Sequence, residues 1–168
     1  MSASYFQVMF AYNRWAWSKV LDMVQALPQD EYTARQFNFG SIRSTLIHAA
    51  GSEASYLARI SGKTPQPRPT EESLKSSAEL RAFWEEQFEA QKTFAASLTD
   101  AMLDEYFGYT GGNGQQQSSR RDLFLAQLLN HATQHRAETA MAVTEFGHSP
   151  GDLDVFIFIR ETRPAAAL

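Results

Sequence analysis

Cysteine is absent from all 168 residues, which removes disulfides, thiolate metal ligands and a cysteine nucleophile. Cations are in the minority: 15 Lys and Arg face 19 Asp and Glu, for a net charge of -4. Nucleic-acid surfaces are usually basic and clustered. Here the only adjacent basic pair is Arg120–Arg121, so nucleic acid is not an expected partner. No apolar run nears the roughly 18 residues that a membrane span needs. Nor does Met1-Ser2-Ala3-Ser4 open a basic-then-apolar signal sequence, so the expectation is a cytoplasmic protein without a membrane partner. A phosphate-cradling loop, a G-x-S-x-G elbow and an H-E-x-x-H pair are all missing. Dinucleotide binding and serine hydrolysis are therefore not expected. Gly111-Gly-Asn-Gly114 lacks the spacing of a nucleotide fingerprint and reads as a turn.

What is present is enough for one domain spanning residues 1–168. Phe6, Phe10, Asn13, Trp17, Val20 and Val24 recur at steps of three and four, predicting a helix from about Ser4 to Ala26 that Pro28 stops. A polar connector, Gln29 to Gly40, follows. Ser41 is a plausible N-cap for a second helix, Ile42 to Ile60, ended by Gly62. Pro65, Pro67 and Pro69 predict an extended linker. Leu80, Phe83, Trp84, Gln87, Phe94 and Leu98 mark a third helix, about Ser77 to Leu98. Tyr106 to Gln117 reads as a small hairpin or ordered loop. Ser119 with Asp122 resembles a capping box opening the longest helix, Arg120 to Phe146, which Gly147 closes. Leu153 to Ile159 is a short apolar piece, helix or strand. The expected fold class is all-α, a four-helix bundle with a hairpin-like insert before its last long helix.

In such a fold the chemistry lies between helices. His131-Ala-Thr-Gln-His135 places two imidazoles one turn apart, about 5–6 Å from each other on one helix face. Two ring nitrogens at that spacing can meet one metal ion. Taken alone, a His-x3-His pair is often an ordinary pair of partly buried histidines. His48 raises the metal reading, as the one other histidine that sits mid-helix on an apolar pattern; His148 lies beyond Gly147 and reads as an exposed helix exit. Three imidazoles with an open fourth position form a catalytic type of site, able to lower the pKa of water or a thiol or to polarise a carbonyl. Glu138, three residues after His135, is a candidate fourth ligand, partner to a ligand, or catalytic base, against an ordinary helix glutamate paired with arginine. Glu53 is about 140° around the helix from His48 and is expected in a surface or inter-helix ion pair, with Arg59 or Arg43. Asn13 and Trp17 share the buried stripe of the first helix. The asparagine needs polar partners there, and the indole is either core or the wall of a pocket.

These residues, in this order, resemble the DinB-like (DinB/YfiT-like) metalloenzyme family from about Tyr5 to Arg160. The likeness rests on Tyr12-Asn-Arg-Trp15, on Gly40-Ser-Ile-Arg-Ser-Thr-Leu-Ile-His48 with Glu53 and Leu57, on Asn130-His-Ala-Thr-Gln-His-Arg136, and on Gly147-His-Ser-Pro-Gly-Asp-Leu-Asp154. It implies a bundle of up-down-down-up connectivity, often paired as a homodimer, with a zinc or nickel ion on His48, His131 and His135. It also implies a metal-dependent transferase acting through a low-molecular-weight thiol, or a hydrolase. The alternative is a stress-associated bundle that binds a metal or ligand without turnover. The chain departs from the pattern at Trp17, where the family usually has asparagine, and at Glu138, where glutamine is common.

Overall fold

The computed structural model describes residues 1–34 and 40–162. Among them are seven helices and one two-stranded sheet. Four helices are long: α1 (Ala3–Gln25), α3 (Ile42–Ile60), α4 (Ser77–Ser97) and α6 (Arg121–Glu145). Between them lie the short α2 (Gln29–Thr33) and α5 (Asp100–Leu103), and α7 (Val155–Thr162) follows. The chain is therefore all-α apart from its hairpin. Residues 35–39, in the connector expected over Gln29 to Gly40, lie outside the described residues, and α2 occupies the connector's start.

The long helices begin where short polar side chains satisfy otherwise unpaired N–H groups. Ser2 accepts from Tyr5 N, and Ser41 forms a reciprocal capping box with Ser44. Ser76 does the same with Glu79, whose negative charge also suits the positive end of the helix. The expected Ser119 cap on the last long helix is not formed. Ser119 instead sits in a strand, and its hydroxyl donates to the Arg120 carbonyl. The N-cap is Arg120, whose guanidinium grips Asp122 in the first helical turn at 2.7 and 2.8 Å. Extension of the strand through Ser119 takes its backbone away from the capping position. At the other ends, Gly62 (φ 71°) and Gly147 (φ 84°) adopt the left-handed backbone that lets the chain leave a helix.

The stripe expected on α1 is buried as read: Phe6, Phe10, Asn13, Trp17, Val20 and Val24 all face inward. This face packs against α4 and α6, while α3 packs against the same two helices from the other side. On α4 the buried register is Leu80, Trp84, Phe88, Gln91 and Ala95, so the expected Gln87 position is displaced by one turn to Gln91. Trp17 and Trp84 stack with ring centroids 4.5 Å apart in the centre of the larger apolar cluster. Trp17 is thus core. Side chains of this size each stabilise the fold by about 1.5–3 kcal/mol on full burial.

The hairpin pairs β1 (Tyr106–Thr110) with β2 (Gln116–Arg120), Tyr106 opposite Arg120 and Thr110 opposite Gln116. It packs on α3 and α6 through Phe107, Tyr109 and Phe124. The three-proline stretch is extended and passes close over α3: a Cβ on Gly51 would stand 3.0 Å from Pro69 Cδ. The final apolar piece is helical; α7 rests on α1, with Phe158 against Tyr12 and Trp15.

Candidate metal centre

The face of α3 that carries His48 meets the face of α6 that carries His131 and His135. One nitrogen from each ring lies within 4.8 Å of the other two. Ring centroids are 4.3 Å apart for His131 and His135, 4.8 Å for His48 and His135, and 5.4 Å for His48 and His131. His135 is buried, and the other two are half-buried. Among the described residues this is the one group of three or more metal-ligating side chains so placed. His148 is half-buried and stands outside it.

Burial favours the neutral form of His131 and His48. His131 is pushed down from its ordinary value of 6.5 to about 4, by desolvation first and then by the neighbouring His135 and His48. His48 is lowered for the same reasons, desolvation leading and His135 next. Neutral imidazole is the form that coordinates a metal. The Nε2 atoms of His131 and His135 face one another at 3.2 Å. On the far side of its ring, His135 Nδ1–H donates to Glu138 Oε2 at 2.7 Å, which leaves the Nε2 lone pair directed at the cluster. His131 Nδ1 is buried without a hydrogen-bond partner on the side of the ring away from this contact. The donor set suits a borderline divalent ion.

A model of the DinB family matches residues 1–165. The chain belongs to the DinB family. No curated protein matches it. Around its three histidines this DinB chain builds a buried polar network, little of which is visible in the sequence.

Glu53 is neither on the surface nor paired with Arg59 or Arg43, contrary to expectation. It is fully buried, and Trp17 Nε1 donates to its Oε1 at 2.9 Å. Asn13 Nδ2 and Gln91 Nε2 donate to its Oε2 at 2.9 and 2.7 Å. The angle of about 140° from His48 does separate it from the histidines, but turns it toward α1 and α4 rather than to water. Arg43 instead pairs with Glu71, and Arg59 donates to Ser55 and to the Thr110 carbonyl. Desolvation pushes the Glu53 carboxyl up, against the pull of its three donors and of Arg136.

Arg136, immediately after His135, completes this network. It is 2% exposed, donates to Asn13 Oδ1 at 2.7 Å and to Tyr12 Oη and Thr133 Oγ1 at 3.1 Å, and stacks over Tyr12. Asn13 thus joins a buried cation to a buried carboxylate, which answers the expectation that it needs partners. Sequence reading missed Gln91 and Arg136. The signal for both was the polar pair Asn13 and Trp17 on an apolar stripe, which demanded polar groups from facing helices. It also missed Tyr56, which packs edge-on against His131 at 5.5 Å.

Proposed function

We propose that His48, His131 and His135 hold one divalent metal ion, zinc or nickel, in an enzyme that activates a small thiol or water. The observation that carries this reading is the convergence of three imidazole nitrogens within 4.8 Å, from two helices, in a DinB chain. Three nitrogen donors serve either ion, and affinity order alone does not separate them. When bound, the ion would supply Lewis acidity, favouring the thiolate or hydroxide form of a small molecule brought to it.

The chain's own part is to present neutral donors in a fixed orientation. Burial keeps His48 and His131 unprotonated near pH 7. Glu138 holds the Nδ1 proton of His135 and so aims Nε2, a positioning role that is well precedented around metal-ligating histidine. Its second oxygen accepts from Gln134 Nε2 at 3.3 Å, and this makes positioning, rather than ligation or proton abstraction, the role we assign to it. The up-down-down-up connectivity and a homodimer accompany this reading on the strength of the family resemblance.

The test is to measure bound metal in the purified protein and in His131→Ala. Near-stoichiometric metal in the wild type, lost in the variant, is the expected result; metal retained undiminished in the variant would sink the site. A panel of thiols with electrophilic acceptors, and of ester and amide substrates, then tests turnover. Metal binding without turnover on any of them would move the reading to a non-catalytic metal- or ligand-binding bundle.

A further inference from the structure

Beside the histidines, between the hairpin, α3, α6 and the proline-rich linker, lies a cavity of about 380 Å³. Its carbon walls include Tyr56, Tyr109 and Phe124, and Arg59 and Arg68 line it with no carboxylate side chain among the lining residues. Tyr56 is shared with the metal centre, since its ring packs edge-on against His131 at 5.5 Å. The two arginines arrive from different elements. Arg59 lies on the last turn of α3, and its Nε donates to the Thr110 carbonyl at 2.8 Å, which fixes the guanidinium against the hairpin. Arg68 stands on the linker that Pro69 seats against Gly51. It is close enough to the centre for its charge to act on both His48 and His131.

We propose that this cavity binds a small carboxylate-bearing organic molecule, its anionic group held by Arg59 and Arg68 and its carbon frame by Tyr56, Tyr109 and Phe124. The volume lies in the range of small-molecule pockets. The guanidinium fork of Arg68 matches a planar carboxylate with two parallel hydrogen bonds, while Arg59, whose Nε and Nη1 donate to the Thr110 carbonyl and Ser55 Oγ, adds its charge and Nη2. Aromatic walls give an organic body a contact that an inorganic anion would leave unused. Most of the chain's other arginines described in ion pairs are engaged by acids, as Arg14 is by Glu85 and Glu89, Arg43 by Glu71 and Arg81 by Asp22. The pocket pair faces a cavity without one. The inference deepens the metal-centred reading and rests on it only in treating this cavity as the place where the substrate's anionic end lies.

The experiment is calorimetric titration of the full chain, metal-free and metal-loaded, with succinate, with its neutral diamide and with inorganic phosphate. Succinate is expected to bind in both states and the diamide in neither. Arg68→Gln and Arg59→Lys should each weaken succinate about tenfold, in line with the loss of a charge-assisted hydrogen bond. Lys92→Gln, which removes one charge on α4 outside this cavity, should leave it unchanged. Wild-type protein that does not bind succinate, or binds the diamide or phosphate as tightly, overturns the proposal. So does equal weakening by Arg68→Gln and Lys92→Gln, the two variants that remove a charge, which would mark a general charge effect. Circular dichroism of each variant accompanies the titration, and Arg68, an exposed linker residue, gives a substitution that does not disturb the core. The two readings fail separately: a protein that takes up no metal but binds succinate through Arg68 refutes the metal centre alone. Metal uptake without succinate binding refutes this assignment alone.

Discussion

The carboxylate of Glu138 stands 2.7 Å from Nδ1 of His135, while the opposite nitrogen of the same ring faces His131 at 3.2 Å. One imidazole therefore links an anion outside the cluster to the donors inside it. Such a contact raises the basicity of the ligand and holds its ring plane, and removing it commonly weakens metal binding by about 10–100-fold. Glu138→Ala is expected to fall in that range in a competition titration with a chromogenic chelator. Glu138→Gln keeps a carbonyl acceptor for Nδ1–H and should lose less, about threefold to tenfold on the same scale. Equal losses in the two variants would show that charge, not ring orientation, is what Glu138 contributes.

Metal removal provides a second measurement. A ligand bound only by the native state stabilises it by about 2.7 kcal/mol at a free concentration of 100 times Kd. Dialysis against a chelator should therefore lower the wild-type melting temperature, and readdition of zinc or nickel should restore it. In His131→Ala the melting temperature should be insensitive to both treatments.

Glu53 predicts a pH dependence. Its ordinary carboxyl value is 4.5, and burial raises it in the native state, with Arg136 the charged group that opposes the shift. The native state therefore binds more protons than the unfolded chain in the window that begins near 4.5 and ends at the raised native value. Stability is held below that window and is lost as pH rises through it. Glu53→Gln has no such proton to lose. Urea unfolding from pH 4.5 to 8 should show wild-type stability falling relative to Glu53→Gln as pH increases; a difference that stays constant would show that the carboxyl titrates alike in both states.

The same network sets the cost of losing its cation. Arg136→Met keeps an unbranched apolar side chain but leaves Asn13 Oδ1 and Tyr12 Oη without their donor, and leaves Glu53 without its nearby positive charge. Breaking one partner out of a buried ionic network typically destabilises by about 3–5 kcal/mol. Chemical denaturation should show a loss of that size. By contrast, Lys92→Gln on the solvated face of α4 should lie within about 0.5 kcal/mol of wild type.

Gly51 offers a packing prediction. A Cβ there would meet Pro69 Cδ at 3.0 Å, with Arg68 Cβ 3.6 Å away. Alanine at this helical site improves intrinsic helix propensity by up to about 1 kcal/mol, which offsets part of the crowding. Gly51→Val adds two methyl groups without that compensation and should destabilise by about 1–3 kcal/mol. Increased proteolysis within residues 63–70 would locate the damage at the linker.

The long helices were legible from local punctuation and period: Ser41 caps, Gly62 and Gly147 release, and the α1 stripe repeats every three or four residues. His131 and His135 were legible for the same local reason, since four residues make about one turn. Other readings depended on neighbours. Ser119 has the composition of a cap, yet β2 runs on through it because Phe107 pairs opposite. Glu53 has the composition of a surface residue, yet three donors from two other helices enclose it.

Local sequence by itself determined where the four long helices run, which faces of α1 are apolar and which histidines share a turn, because those properties follow from backbone geometry and spacing. Only tertiary structure decided that His48 reaches the α6 pair and that Glu53 and Arg136 lie dry behind them. Each of those facts depends on the angle at which two helices meet, and that angle is set by the packing of side chains distant in sequence.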